Sequence, residues 1–329
     1  MKIGLFTDSL AELNLEQALD WCVSQGIEAV EIGTGNFSSA PHCDLDALVD
    51  DKQARERFLG AIQARGLSLS ALNCNGNPLD PDSERGTKSK DILNKTLEAA
   101  NRLELDTVVT MSGCPGDLGG GRYPNWVTCT WQPEYVELVE RQWDEVIAPF
   151  WEGVASKARE LGVRIAIEMH PGQAAYNTRS LQRLREIGGK DVIGANLDPS
   201  HLFYQGMEPD VVVRALGPGA VFHVHAKDTR LNPHEIALNG TLDIRPMTKA
   251  GERTWEYVTL GFGHGESFWR NFLSTLRIMD YDGVLSIEHE DLLMSPHEGI
   301  EKSVSFLQGL TPRTTPDRSL EGSIGAPKV

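Results

Sequence analysis

Short apolar runs recur along the chain at a spacing of roughly 30 residues, each followed by an amphipathic segment. They fall at residues 2–8, 29–33, 67–73, 107–112, 164–172, 192–198, 221–228 and 283–291. Turn residues bound them, as Pro171 and Gly172 bound the fifth, so they read as buried strands. The amphipathic segments predict helices over 15–25, 45–65, 88–103, 133–161, 180–187, 209–216, 267–279 and 296–307, the fourth kinked at Pro149. Eight strands, each followed by a helix, predict a closed α/β barrel of the (β/α)8 kind. A doubly wound sheet is the competitor. It is disfavoured because no G-x-G-x-x-G follows the first strand and because charged groups end so many strands.

One domain over residues 1–310 follows, with a flexible tail rich in Thr, Pro, Ser and Gly over 311–329. Two connections are too long for plain loops. Residues 113–133 are rich in Gly, Trp and Pro, and residues 229–265 read as an irregular insertion; both belong at the mouth of the barrel as binding loops or lids. A net charge of -16 leaves no basic face for nucleic acid. No apolar run is long enough for a membrane span, and the chain opens into a strand-like run without a signal segment. The five cysteines, Cys22, Cys43, Cys74, Cys114 and Cys129, are scattered with no C-x-x-C pair. Reduced thiols and a cytoplasmic location are therefore expected.

In such a barrel the active site lies at the C-terminal ends of the strands. Four consecutive ends carry ionisable groups: Glu168 and His170; Asp198, with His201 just beyond; His225, Lys227 and Asp228; and Glu288, His289 and Glu290. Strand alternation puts Glu168 on the side of Ala166, and Glu288 on the side of Ser286. It puts His223 and His225 on one face, with His225 nearer the mouth. His289 is expected to point away, and Lys227 to pair with Asp228. Taken alone, I-E-M-H-P-G is equally well explained by a structural salt bridge. Glu168, Asp198, His225 and Glu288 together make three oxygen donors and one nitrogen. That set suits a divalent ion, Mn²⁺ first, then Co²⁺, Mg²⁺ or Zn²⁺. Without a cation, three gathered carboxylates would repel one another.

The ordered set I-E-M-H-P-G, N-L-D-P-S-H, H-V-H-A-K-D and I-E-H-E-D resembles the sugar phosphate isomerase/epimerase family, with its xylose-isomerase-like TIM barrel. The resemblance covers the chain from Lys2 to about Leu310. It implies that Glu168, Asp198, His225 and Glu288 hold the metal. It also implies that Glu168 and Glu288 flank the substrate as acid and base, and that His201 and Arg230 hold substrate oxygens. The DNA-repair endonucleases of the same superfamily use a richer histidine set for three zinc ions, which does not suit this acidic chain.

The activity implied is isomerisation or epimerisation of a ketose or keto-sugar by proton transfer through an enediolate. A lyase is the alternative. The insertion containing N-G-T-L-D-I-R-P and W-E-Y-V-T-L-G-F-G-H-G resembles that of family members acting on 3-keto-glycosides, where enolisation precedes β-elimination, and a second subunit can be required. A non-catalytic sugar-binding protein is the third reading, disfavoured because a binder has no need of two flanking carboxylates. His170 and His264 are further candidates for substrate contact, each balanced by a structural role. Trp126, Trp131 and Trp255 can stack on a sugar or anchor the insertions. A small sugar is the expected partner and a homo-oligomer the expected assembly, with no nucleic acid or membrane.

Overall fold

The computed structural model describes residues 1–129 and 131–314. The strands among them are β1 (Lys2–Phe6), β2 (Ala29–Gly33), β3 (Ser68–Asn73), β4 (Thr107–Met111), β5 (Arg164–Glu168), β6 (Ile193–Leu197), β7 (Val221–Ala226), β8 (Asp228–Leu231), β9 (Trp255–Val258) and β10 (Val284–Ile287). Eight are parallel and close into a barrel in the order β1-β10-β7-β6-β5-β4-β3-β2. Closure pairs β1 with both β2 and β10, which leaves the barrel no open edge.

Helix starts follow from side chains that satisfy the free N–H groups of a first turn. Asn14 and Gln17 cap α1 (Leu15–Ser24) reciprocally. The helix expected over 45–65 is divided. α2 (Leu45–Asp50) stops at Asp51, whose extended backbone and side-chain bond to the Gln53 N–H begin α3 (Lys52–Gln63). Asp82 caps α4 (Ser83–Arg102), so that helix starts ahead of its apolar pattern. α5 (Pro133–Arg141) runs through a π-helical turn, Gln142–Ile147, into α6 (Ala148–Glu160). Pro149 lacks an N–H and crowds the carbonyl four residues back; the widened turn lies where that carbonyl falls. Asn177 caps α7 (Thr178–Gly188), and the short α8 (Ser200–Phe203) carries His201 directly behind β6. α9 (Pro209–Leu216) leads to β7, α10 (Pro233–Asn239) lies in the second insertion, and α11 (Glu266–Ile278) and α12 (Pro296–Leu310) flank β10.

Residues 229–265 are more regular than their sequence suggests. β8 and β9 form an antiparallel ribbon, with Asp228 opposite Val258 and Leu231 opposite Trp255. Trp255 is buried and stacks on Tyr204, ring centroids 3.9 Å apart. Inside the barrel, Ala71, Val109 and Ala166 form a small cluster with Phe222 against it, while Ile165 and Ile167 join the outer core. Ala166 inside places Glu168, two residues on, at the inner mouth. No helix among the described residues is long and apolar enough to cross a membrane. Of the tail, residues 315–329 lie outside the described residues.

Candidate metal centre and active site

β5, β6, β7 and β10 are consecutive in the closed sheet, so their ends deliver Glu168, Asp198, His225 and Glu288 to one place. One donor atom from each lies within 4.8 Å of the others. His225 Nδ1 is 3.1 Å from Glu168 Oε2 and 3.2 Å from Glu288 Oε2. His201 Nε2 is 3.1 Å from both Glu168 Oε1 and Asp198 Oδ2. Glu168, Asp198, His201 and His225 are buried, and Glu288 reaches the edge of the cavity.

Burial would raise the Glu168 pKa, but His225 and His201 outweigh it and hold the carboxyl well below its usual range. Asp198 is lowered in the same way, burial opposing and His201 prevailing. Burial would lower His201, yet Asp198 and Glu168 push it up to about 9. His225 is raised well above its usual value against burial, by Glu31, Glu288 and Glu168.

The donor set fits a divalent ion on two unsatisfied atoms. Asp198 Oδ1 accepts the Ser200 N–H at 2.8 Å, while Asp198 Oδ2 and His225 Nδ1 are buried with only the ionic contacts already given and no well-aligned hydrogen bond. Buried polar atoms without well-aligned hydrogen bonds are costly, and a cation between these two is the chemistry that relieves both. The other face of His225 fixes which nitrogen is offered. Its Nε2 lies 3.0 Å from Glu31 Oε1, so a proton kept there would leave Nδ1 to meet an ion in exchange for its own proton.

Glu31 is the main site residue that sequence reasoning missed. Its fully buried carboxylate also meets His223 Nε2 at 2.9 Å and accepts from Asn73 Nδ2 at 2.8 Å and Ser286 Oγ at 2.6 Å. Burial raises its pKa, but His225 and His223 overcome that and hold it far below the ordinary range. Glu31, His223 and His225 also lie close enough to hold an ion. Their atoms are already paired with one another, so this group reads as support for the neighbouring cluster. The signal was present: in A-V-E-I-G a glutamate interrupts an apolar strand. Asn75 and Asn196, also unforeseen, each donate Nδ2 to Glu168 Oε2 at 2.9 Å.

Other candidates fall differently. His170 lines the mouth cavity with its ring edge-on to His201, and burial, then His201, push its pKa down to about 4. Lys227 does not pair with Asp228. Its ammonium reaches Glu288 Oε2 at 3.1 Å and Glu290, and lies 4.2 Å from the Tyr257 ring centroid. Asp228 instead accepts the backbone N–H groups of Gly261, Gly263 and His264 and contacts His264 Nδ1 at 2.8 Å. The His264 ring stacks on Phe203 at 3.6 Å, outside the cavity. Gly263 is needed there because a Cβ would lie 2.3 Å from the Thr229 carbonyl oxygen. Arg230 is exposed on β8 and pairs with Glu256, also outside the cavity. His289 sits beside the cavity, but its ring turns away from the mouth as alternation predicts, with Nε2 3.3 Å from the Met294 carbonyl and the ring against Gly299 of α12. Trp126 packs edge-on to Tyr176, Trp131 is exposed and Trp255 is buried in the hairpin; none lines the cavity. Tyr257 on β9 does line it, its hydroxyl 3.0 Å from His201 Nδ1, so the insertion completes one wall.

A closed parallel barrel with a carboxylate–histidine cluster at its C-terminal mouth defines the class, and the sequence agrees. Residues 19–310 match the xylose isomerase-like TIM barrel family, and the chain belongs to it. It is 41% identical over 311 residues to the uncharacterized protein YfiH of Bacillus subtilis (strain 168), covering 94% of this chain and 98% of that one. A more distant likeness, 24% over 153 residues, is to inosose dehydratase of Clostridium tetani (strain Massachusetts / E88), with 46% of this chain and 49% of that protein covered. Among solved structures, the IolI protein with a bound zinc atom superposes with a TM-score of 0.65 at 19% identity, over 94% of this chain and 98% of that one.

Proposed function

We propose that the mouth is a metal-dependent site for proton transfer beside a carbonyl, isomerising or epimerising a ketose or keto-sugar. The observation that carries this reading is the cluster itself: four donors within 4.8 Å, two of them buried without a well-aligned hydrogen bond. Glu168, Asp198, His225 and Glu288 would hold the ion, Mn²⁺ being the best match to three oxygens and one nitrogen. Such an ion supplies Lewis-acid stabilisation of negative charge on substrate oxygens.

The chain's own residues do the rest. Glu168 and Glu288 come from β5 and from just beyond β10, at the two ends of a four-strand arc. One carboxylate takes the proton from the carbon beside the carbonyl, while the electron pair moves to the carbonyl oxygen. The other returns a proton, on the opposite face for an epimerase. His201 and Lys227 stand beside the cluster as hydrogen-bond donors to the developing oxyanion. Lys227 supplies the positive charge expected of Arg230. Glu31, Asn75 and Asn196 hold the reacting groups in place.

The test is solvent exchange in D₂O with a panel of free ketoses and 3-keto-glycosides. Glu168→Gln and Glu288→Gln should each slow deuterium entry at substrate carbon by roughly 10²–10⁴-fold, and purified protein should carry about one divalent ion per chain. Unchanged exchange in both variants would remove the assignment. A second reading is favoured by the likeness to inosose dehydratase. There the same proton abstraction is followed by loss of the group β to the carbonyl, and product analysis separates the two: an epimer or isomer against an eliminated product.

A further inference from the structure

The β8–β9 ribbon grips the turn after β6 in three places. Thr229 on β8 donates its hydroxyl to the Ser200 carbonyl at 2.9 Å. Trp255 on β9 stacks on Tyr204, ring centroids 3.9 Å apart. Between them, the Tyr257 hydroxyl lies 3.0 Å from His201 Nδ1. Ser200 and His201 belong to α8, and Tyr204 ends it. That helix has four residues, too few to be held in place by its own hydrogen bonds. Its side chains stay where the structure packed against them puts them.

His201 needs such a hold. Its Nε2 hydrogen-bonds Glu168 Oε1 at 3.1 Å and lies 3.1 Å from Asp198 Oδ2. Ionised carboxylates only accept, so Nε2 carries a hydrogen. The imidazole thus touches the proposed base directly. Among the described residues, Tyr257 alone hydrogen-bonds the other ring nitrogen, Nδ1. His201 is buried, so no bulk water stands ready to replace that partner.

Tyr257 is itself fixed. It lies opposite Thr229 in the antiparallel ribbon. Lys227 Nζ sits over its ring, 4.2 Å from the centroid, and the Trp255 ring centroid is 5.2 Å away. The ribbon therefore sets the direction of the phenol. An orienting group on one nitrogen of an imidazole decides where the other nitrogen points, which is the logic of the third member of a catalytic triad.

We infer that Tyr257 is a positioning residue that fixes the His201 imidazole and, through it, the Glu168 carboxylate, so that the second insertion braces the site from behind β6. This rests on the proton-transfer reading only for the part Glu168 plays; the brace itself is a matter of geometry.

Tyr257→Phe removes the hydroxyl and keeps the ring against Lys227 and Trp255. Mg²⁺-loaded protein carrying ¹⁵N-labelled histidine gives a readout that needs no substrate. The His201 ring resonances, assigned with His201→Gln, should move in Tyr257→Phe while those of His223 stay, with the metal content unchanged. With the panel of free ketoses and 3-keto-glycosides, kcat for deuterium exchange should fall about 10-fold and KM should hold. Should that variant fold poorly, Thr229→Val, which takes away only the hydroxyl on the Ser200 carbonyl, carries the test and should move the same resonances. The inference fails if the His201 resonances stay in place. It fails equally if KM rises while kcat holds, because Tyr257 would then be a substrate contact. His201 resonances that move in a protein exchanging no compound of the panel remove the proton-transfer reading and keep the brace.

Discussion

Asp8 and Glu31 show two ways of keeping a carboxyl group inside a barrel mouth. Glu31 is surrounded by donors and stays ionised at a depth where burial alone would neutralise it. Asp8 is under-satisfied, and its raised pKa has a consequence for stability. Its folded value, about 6, lies above the ordinary 3.8, so the folded protein is penalised once Asp8 ionises. The contribution is favourable at low pH and lost as pH rises through 6. In chelator, Asp8→Asn should thus raise Tm at pH 8 and give a smaller gain as pH falls to 4, measured by thermal denaturation. A gain equal at both pH values would contradict the ionisation argument. Glu31→Gln should act on the metal centre at one remove. It leaves His225 without a carboxylate on Nε2, and affinity for Mn²⁺ should fall about 10–100-fold, read by calorimetry beside a Tm that tracks folding separately.

At the scale of elements, the end of the second insertion is held by two carboxylates, Asp228 and Asp291. Asp228 begins β8, and the loop after β9 hangs on it through three backbone N–H groups. Asp291 holds the same segment further back, accepting from the Thr259 N–H and hydroxyl. Gly263 in G-F-G-H-G thus permits close approach of backbone to backbone, where the sequence suggested backbone to ligand. Asp228→Asn presents an amide to N–H donors, so the opening free energy of the loop over residues 259–265 should fall by about 1.5–3 kcal/mol. Hydrogen exchange would show faster labelling confined to that loop and the β8–β9 ribbon. Because Tyr257 on β9 touches His201, the same loosening should weaken substrate binding more than it alters the metal content.

For the whole molecule, the barrel and its proposed ion are thermodynamically linked. An ion that binds the folded chain at 100 times its Kd adds about 2.7 kcal/mol. Mn²⁺ should raise Tm, a chelator should reverse the rise, and Glu168→Gln should abolish most of the difference. How much of this was legible beforehand depends on range along the chain. The strand–helix alternation, the inward side of Ala166 and Glu168, and the convergence of four strand ends were readable because pleat and helix periods are local properties of sequence. The split after Asp50 and the early start of α4 were missed because one capping aspartate outweighed an apolar pattern in each case. The environment of Glu31 was hidden for another reason: its partner His223 lies 192 positions away, and only barrel closure brings β2 and β7 together around it. The same holds for Lys227, whose neighbours in sequence favoured Asp228 while folding supplied Glu288 and Glu290. By itself, then, the sequence determined the barrel and the four residues at its charged strand ends, since burial of an apolar run makes a charge at its end conspicuous. Tertiary structure alone decided which nitrogen of His225 faces the cluster, that Arg230 and His264 turn away, and that Glu31 stands behind His225. Those are matters of direction, set by packing across the closed sheet.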